Sequence, residues 1–346
     1  MIPAETLALY DDLLQLAALP AYSGHNLNFR TKTVKGHKYH YLQLKLSSRH
    51  VEKYLGEDSP EMRDHIEQEK ELWQRHQADR THRERLVGQL RVGGMIAPSH
   101  AHAKVLAVLA RAGIFHAGGV MVGTLAFQCY ANMLGIDMTT RRRILGTQDI
   151  DIAESPRVNV AAGQDAQPLR EAILASGLGF FEVPALDARQ PSTAYQVRGQ
   201  SLRVDILTPA SPRNRDQDPV PMPAWNTHAK PLRHLDYLMA DAQQAVVLAG
   251  AGIYVNVPAP ARYALHKLFV QQQRPATENS KAQRDREQAA FLIGTLREQR
   301  PGDLYLAADA VAAQGKRFRS AVLAGLNDLQ EPQLVQYIEK SPETNG

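Results

Sequence analysis

Two aspartates, Asp149 and Asp151, stand two residues apart in the run Thr147-Gln148-Asp149-Ile150-Asp151-Ile152. The alternation predicts a strand, and in a strand residues two apart project from the same face. Two carboxylates set side by side, with Ile150 and Ile152 buried behind them, repel one another unless a cation sits between them. Mg²⁺ suits that place because it takes hard oxygen ligands and shares them with phosphates; Mn²⁺ is the alternative. A third acid, Asp205, alternates with Val204 and Ile206 in a second predicted strand. Three carboxylates from neighbouring strands suit two-metal phosphoryl transfer, with one ion activating the attacking hydroxyl and the other stabilising the leaving group. Upstream, Gly118-Gly119-Val120-Met121-Val122-Gly123-Thr124 reads as a short strand turning into a helix.

Other groups carry less. Gly250-Ala251-Gly252 lacks the third glycine and following helix of a dinucleotide fingerprint and reads as a turn. His100 and His102 are two apart on a predicted helix, point to different faces, and are expected to be solvated. Arg141, Arg142 and Arg143 either meet phosphate or solvate a loop, and the sequence leaves both open. The single cysteine, Cys129, forms no internal disulfide and belongs to no metal-ligand spacing.

The elements that must position these residues follow from periodicity and punctuation. An opening helix is expected over Ala4–Leu16, then a break at Pro20–Gly24. Strand-like runs follow at Asn26–Val34, His37–Leu46 and Val51–Leu55, the first two separated by Lys35-Gly36. Ser59-Pro60 opens a long charged helix that stops at Gly93-Gly94. Ser99 caps a helix to about Ala112, and a strand (Gly119–Val122) and helix (Thr124–Leu134) follow. Beyond the strand at Asp149–Ala153, a helix is expected near Leu169–Ser176 and strands near Gly179–Pro184, Ala194–Val197 and Leu202–Leu207. Asp216–Pro223 reads as an exposed loop, Ala245–Leu248 and Ile253–Val257 as two strands or one bent strand, and Ala259 onward as helical to a frayed end at Ser341–Gly346. The fold class expected is therefore α/β (α+β). A basic α+β module spans 1–57 and a connecting helix 58–93. A catalytic domain with a mixed sheet and flanking helices spans 94–258, and a helical part 259–340.

The order Gly-Thr at a strand-to-helix turn, Asp-x-Asp, then a third Asp in a later strand resembles the polymerase-beta-type nucleotidyltransferase superfamily. The gap of some 25 residues between Thr124 and Asp149 is similar to that of its AbiEii-like branch. The Pro258–Leu268 helix with Lys267, followed by Arg274, Lys281, Arg284 and Asp285, resembles the Lys-bearing helix of that branch. The resemblance implies transfer of an NMP from an NTP to an acceptor hydroxyl, on an RNA end, a protein or a small molecule, with Asp149, Asp151 and Asp205 holding Mg²⁺. Gly123 and Thr124 would meet the phosphates, Lys267 would neutralise the triphosphate, and Lys281 with Asp285 would complete or brace the site. Gly-Thr stands where the superfamily usually has Gly-Ser, which keeps the hydroxyl. A toxin or defence role belongs to the same resemblance.

Composition bounds the partners. An apolar fraction of 44% permits a sizeable core, no stretch approaches a membrane span, and the first residues lack a signal-peptide pattern, so a cytoplasmic protein is expected. The net charge is only +4, yet no acid occurs between Asp12 and Glu52. In that interval Arg30, Lys32, Lys35 and Lys38 interleave with Tyr39 and Tyr41, a composition suited to stacking bases and pairing phosphates of an RNA acceptor. The bland reading of the same residues is tyrosines packed on helices beside a solvated lysine face. The competing reading of the whole chain is an inactive nucleotidyltransferase fold that only binds nucleic acid.

Overall fold

The computed structural model describes residues 1–18, 27–34, 36–46, 49–138, 140–154, 168–185, 187, 189–211 and 218–341. The break at Pro20–Gly24, Lys35, residues 212–217 ahead of and within the expected loop, and the tail from 342 lie outside the described residues.

Helix α1 (Ala4–Ala18) precedes three antiparallel strands, β1 (Leu27–Val34), β2 (His37–Leu46) and β3 (Arg49–Glu57), in that spatial order. Helix α2 (Pro60–Val92) starts where the Ser59 hydroxyl accepts the Met62 N–H at 3.1 Å, with Pro60 in the first turn. Its 33 residues extend for about 50 Å. Near its end Leu86, Val87 and Leu90 join Tyr10 and Leu13 of α1 in a small core that also holds Val246 and Leu248.

The main body alternates helices and strands: α3 (His100–Arg111), β4 (Val120–Val122), α4 (Gly123–Met133), β5 (Asp149–Ala153), α5 (Leu169–Leu174), β6 (Phe180–Glu182), β7 (Ala194–Val197), β8 (Arg203–Pro209), β9 (Val220–Met222), β10 (Thr227–Leu232), α6 (Leu235–Met239), β11 (Gln243–Val247) and β12 (Ile253–Val257). Nine of these strands form one mixed sheet in the order β11-β12-β4-β5-β8-β10-β9, with β7 beside β8 and β6 beside β7. Strand β8 is the hinge of this arrangement. It pairs in parallel with β5 on one side; on the other its first half meets β7 and its second half β10.

The helical end comprises α7 (Pro260–Gln273), α8 (Asn279–Gln299), α9 (Pro301–Ala312), α10 (Lys316–Asp328) and α11 (Pro332–Lys340). Pro260, Pro301 and Pro332 each occupy a first turn, where the missing N–H costs nothing. Helix α7 buries nearly its whole first two turns, and Gly325 of α10 lets it close in: a Cβ there would lie 2.7 Å from the Leu268 Cβ.

Two expectations are refined. The runs after Ala245 and Ile253 are two strands, β11 and β12, paired antiparallel across a turn in which Gly250 and Gly252 have positive φ. Val220–Met222 is a strand rather than loop; it ends the sheet and pairs on one side only, a place that tolerates Pro221. Among the described residues no helix is long and apolar enough to cross a membrane.

Candidate active site

Strand β5 shows the burial pattern its alternation demands: Ile150 and Ile152 are fully buried, and Asp149 and Asp151 stand partly accessible on the other face. Strand β8 repeats it, with Val204 and Ile206 buried and Arg203 and Asp205 partly accessible. The parallel register sets Asp149 against Arg203 and Asp151 against Asp205. Four charged residues therefore occupy the corners of a square on one sheet face, three acids and one arginine.

The charges in this square are unevenly matched. Arg203 donates from Nε to both Asp205 oxygens, at 2.8 and 3.0 Å, and its Nη2 lies 2.8 Å from the same carboxylate. Asp151 has no such partner among the contacts described. Burial pushes its carboxyl up to about 7, the Asp205 and Asp149 charges add to the rise, and Lys267 and Arg203 only partly oppose it. All three acids offer hard oxygen donors, the ligand chemistry that Mg²⁺ takes. Among the described residues no three His, Cys, Asp or Glu side chains are gathered into a chelating group; Asp205 is held by Arg203 instead.

Asp151 also explains Gly123. That residue begins α4 with φ of +70°, and a Cβ on it would fall 2.2 Å from the Asp151 Oδ2. Both the backbone conformation and the carboxylate require glycine. The carboxylate thus sits against the N-terminal end of α4, where the helix dipole favours negative charge. Gly123 and Thr124 are both partly accessible there. The entry to β4, at the other end of that strand, is held by the Asn256 amide, which donates to the Phe115 and Gly119 carbonyls at 2.7 and 2.9 Å.

Lys267 lies on α7, only 8% exposed, and donates to Asp285 of α8 at 2.5 Å. The other Asp285 oxygen accepts from Arg274 Nε at 2.6 Å, and Arg274 also pairs with Glu278 at 2.7 Å. Asp285 is 3% exposed and fully bracketed by cations. Lys267 still acts electrostatically on Asp151, so its charge is felt at both acidic centres. Lys281 is exposed on α8, and the partners of Asp285 are Lys267 and Arg274.

Several residues were not anticipated. Arg203 is one. Tyr263 is another: its hydroxyl lies 3.0 Å from the Gly123 carbonyl and 2.9 Å from the Gln288 Oε1, while the Gln288 amide donates to the Ile144 carbonyl at 2.7 Å. Tyr263 thereby ties the turn to α8. His102 corrects an expectation. It is not solvated but 7% exposed, with Nδ1 2.7 Å from the Ser99 hydroxyl and Nε2 buried without a hydrogen bond. Burial holds its pKa down, against the opposing influence of the Gln148 backbone and the Asp149 charge, which places the ring beside the end of β5. Its burial follows from α3 packing on the sheet, a contact no local pattern reveals. Of the three consecutive arginines, Arg141 stacks over the Phe291 ring at 4.8 Å and Arg143 pairs with Glu287, so both are bound to α8.

A family model described as Nucleotidyltransferase matches residues 100–313, which is more than half of the chain and includes every element of this site. Neither the search of curated proteins nor that of solved structures returned a match.

Proposed function

This chain belongs to the nucleotidyltransferase family and is a transferase, and from that premise we propose that it moves a nucleoside monophosphate from an NTP to an acceptor hydroxyl with Mg²⁺. The observation that supports the reading is the charged square of Asp149, Asp151, Arg203 and Asp205 set against the N-terminus of α4. Asp149, Asp151 and Asp205 would hold the metal, which when bound neutralises phosphate charge and makes the attacking hydroxyl more acidic. The N–H groups at Gly123 and Thr124 and the Thr124 hydroxyl orient the nucleotide phosphates. Lys267 adds positive charge to the site, braced by Asp285 and Arg274, and exposed Lys281 supplies more from α8. Asp205, once Arg203 is drawn to a phosphate, accepts the proton of the acceptor hydroxyl. Arg203 is fitted for that exchange by its planar, multidentate head.

Within the family, the spacing from Thr124 to Asp149 and the Lys267 helix support an AbiEii-like placement, and with it a toxin or defence role. The Arg203–Asp205 pair favours a second reading, an inactive scaffold in which arginine has replaced the metal. One experiment separates them. Purified protein is incubated with each α-labelled NTP, Mg²⁺ and either total RNA or cell-extract protein. Label transfer by the wild type, reduced by at least about 10³-fold in the Asp149→Ala/Asp151→Ala double variant, is the expected result. No transfer to any acceptor from folded wild type would favour the scaffold.

A further inference from the structure

The three-stranded sheet lies outside the matched family segment and takes no part in the charged square. Its register, with a bulge at Leu55 opposite the His40–Tyr41 step, sorts its residues onto two faces. Arg30 pairs with Tyr41 and Lys32 with Tyr39 across β1 and β2, and Tyr41 pairs with Tyr54 across β2 and β3. These five residues share one face. The opposite face carries Thr31 and His40, which are hydrogen-bonded to each other at 3.1 Å, and His40 Nε2 continues to Asp58 at 2.8 Å. Gly56, opposite His40, packs under Met62 of α2. One face is thus committed to the fold, and the other presents aromatic rings and cations.

The rings are displayed rather than stowed. Tyr54 is 54% exposed, and Tyr39 and Tyr41 are partly exposed. Tyr41 and Tyr54 meet edge-on at 5.5 Å, Tyr39 and Tyr54 lie tilted at 6.2 Å, and the Lys32 ammonium sits 4.8 Å over the Tyr41 ring. Arg30 and Lys32 are exposed beside them. The acids of this sheet are on β3, where Glu57 stands opposite Tyr39 and is engaged by His37 at 3.0 Å. A cluster of tyrosines on neighbouring strands with cations along the edge is a stacking platform with phosphate contacts.

We propose that this face, Arg30, Lys32, Tyr39, Tyr41 and Tyr54, docks single-stranded RNA. Unpaired bases have free faces to stack on the tyrosines, whereas a duplex hides them. Each phenol hydroxyl can donate to or accept from a ribose 2′-OH, which deoxyribose lacks. Among the residues whose side chains are described, Arg30 and Lys32 are the cations beside the rings, and Glu57 stands opposite Tyr39, so stacking contributes more to affinity than charge does, and the salt dependence is shallow. That the RNA so held is the acceptor rests on the nucleotidyl-transfer reading; the binding itself does not.

The test is fluorescence anisotropy on the full chain with a labelled single-stranded RNA of mixed sequence. Parallel titrations use single-stranded DNA of the same sequence, duplex RNA and phosphatidylserine vesicles. Saturable binding strongest to single-stranded RNA is expected. Tyr54→Ala and Tyr39→Ala should each weaken it about tenfold, while Tyr54→Phe keeps most of the affinity and Lys32→Glu lowers it by removing a phosphate contact and the cation over the Tyr41 ring. Thermal midpoints confirm that the variants fold. The Asp149→Ala/Asp151→Ala protein should bind RNA like wild type, so loss of transfer with retained binding would overturn only the catalytic reading. No saturable RNA binding, affinity untouched by both Ala variants and by Lys32→Glu, or equal or tighter binding to DNA, duplex or vesicles would overturn this one.

Discussion

Two acidic centres lie close together in this molecule and differ in one respect. Asp285 is the more deeply buried, yet Lys267 and Arg274 approach its two oxygens at 2.5 and 2.6 Å. Asp151 is less buried by accessible surface, yet burial, with two facing carboxylates adding to it, pushes it up to about 7. Burial alone therefore does not mark a reactive acid. A buried carboxylate fully bracketed by cations braces the fold, whereas one opposed by like charge lacks the counter-charge that holds Asp285. Lys267 belongs to both centres, which makes α7 the element through which the brace positions the site.

The largest effect should come from breaking the satisfied centre. Asp285→Asn leaves the Lys267 ammonium and the Arg274 guanidinium without their carboxylate, and removing one partner of a buried pair costs about 3–5 kcal/mol. Chemical denaturation should show a loss of that order at neutral pH, with or without Mg²⁺. A loss below about 1 kcal/mol would mean that water reaches the pair and the two centres differ little.

Gly123→Ala tests the other centre at its tightest point. The new Cβ meets the Asp151 carboxylate, and alanine must also adopt a φ of +70°. The conformational part alone costs about 1–2 kcal/mol. The expected signature is a loss of about 2 kcal/mol in stability together with loss of nucleotidyl transfer, because Asp151 must move. Retained transfer would show that the carboxylate is not held against this turn during the reaction.

Much of this contrast was legible in the sequence, and the illegible part has a common cause. Ile150, Ile152, Val204 and Ile206 announce their strands and fix which way Asp149, Asp151 and Asp205 point, because period-two alternation is a local property. The pairing of Arg203 with Asp205 is also local once the strand is known. That Asp149 stands beside Arg203, however, depends on the register between β5 and β8, about 50 residues apart in the chain. Tyr263 reaches Gly123 from 140 residues away, and His102 is buried by a sheet that its own helix does not predict. Strand β9 escaped because Pro221 reads as a strand breaker until its edge position is seen. Long-range register and helix packing, not composition, decided every one of these.

The last effect is the most discriminating, because its sign is opposite in the two centres. Asp151 has a folded-state pKa of about 7 against about 3.9 for an unfolded aspartate. Between those values the folded state holds the proton more tightly than the unfolded state. The stability this gives is complete below about pH 4, is lost as pH rises through 7, and stays absent above it. Asp151→Asn does not titrate, so in chelator the variant should grow more stable than wild type between pH 5 and pH 8. Discounted for solvent access, the gain at pH 8 is on the order of 2 kcal/mol, or several degrees in thermal midpoint. Saturating Mg²⁺ should reverse the order, since an ion bound by wild type alone stabilises wild type alone. A brace such as Asp285 predicts the reverse at every pH: replacement destabilises, and Mg²⁺ changes nothing. If Asp151→Asn behaved like Asp285→Asn, the charged square would be a structural network and the metal reading would fall with it.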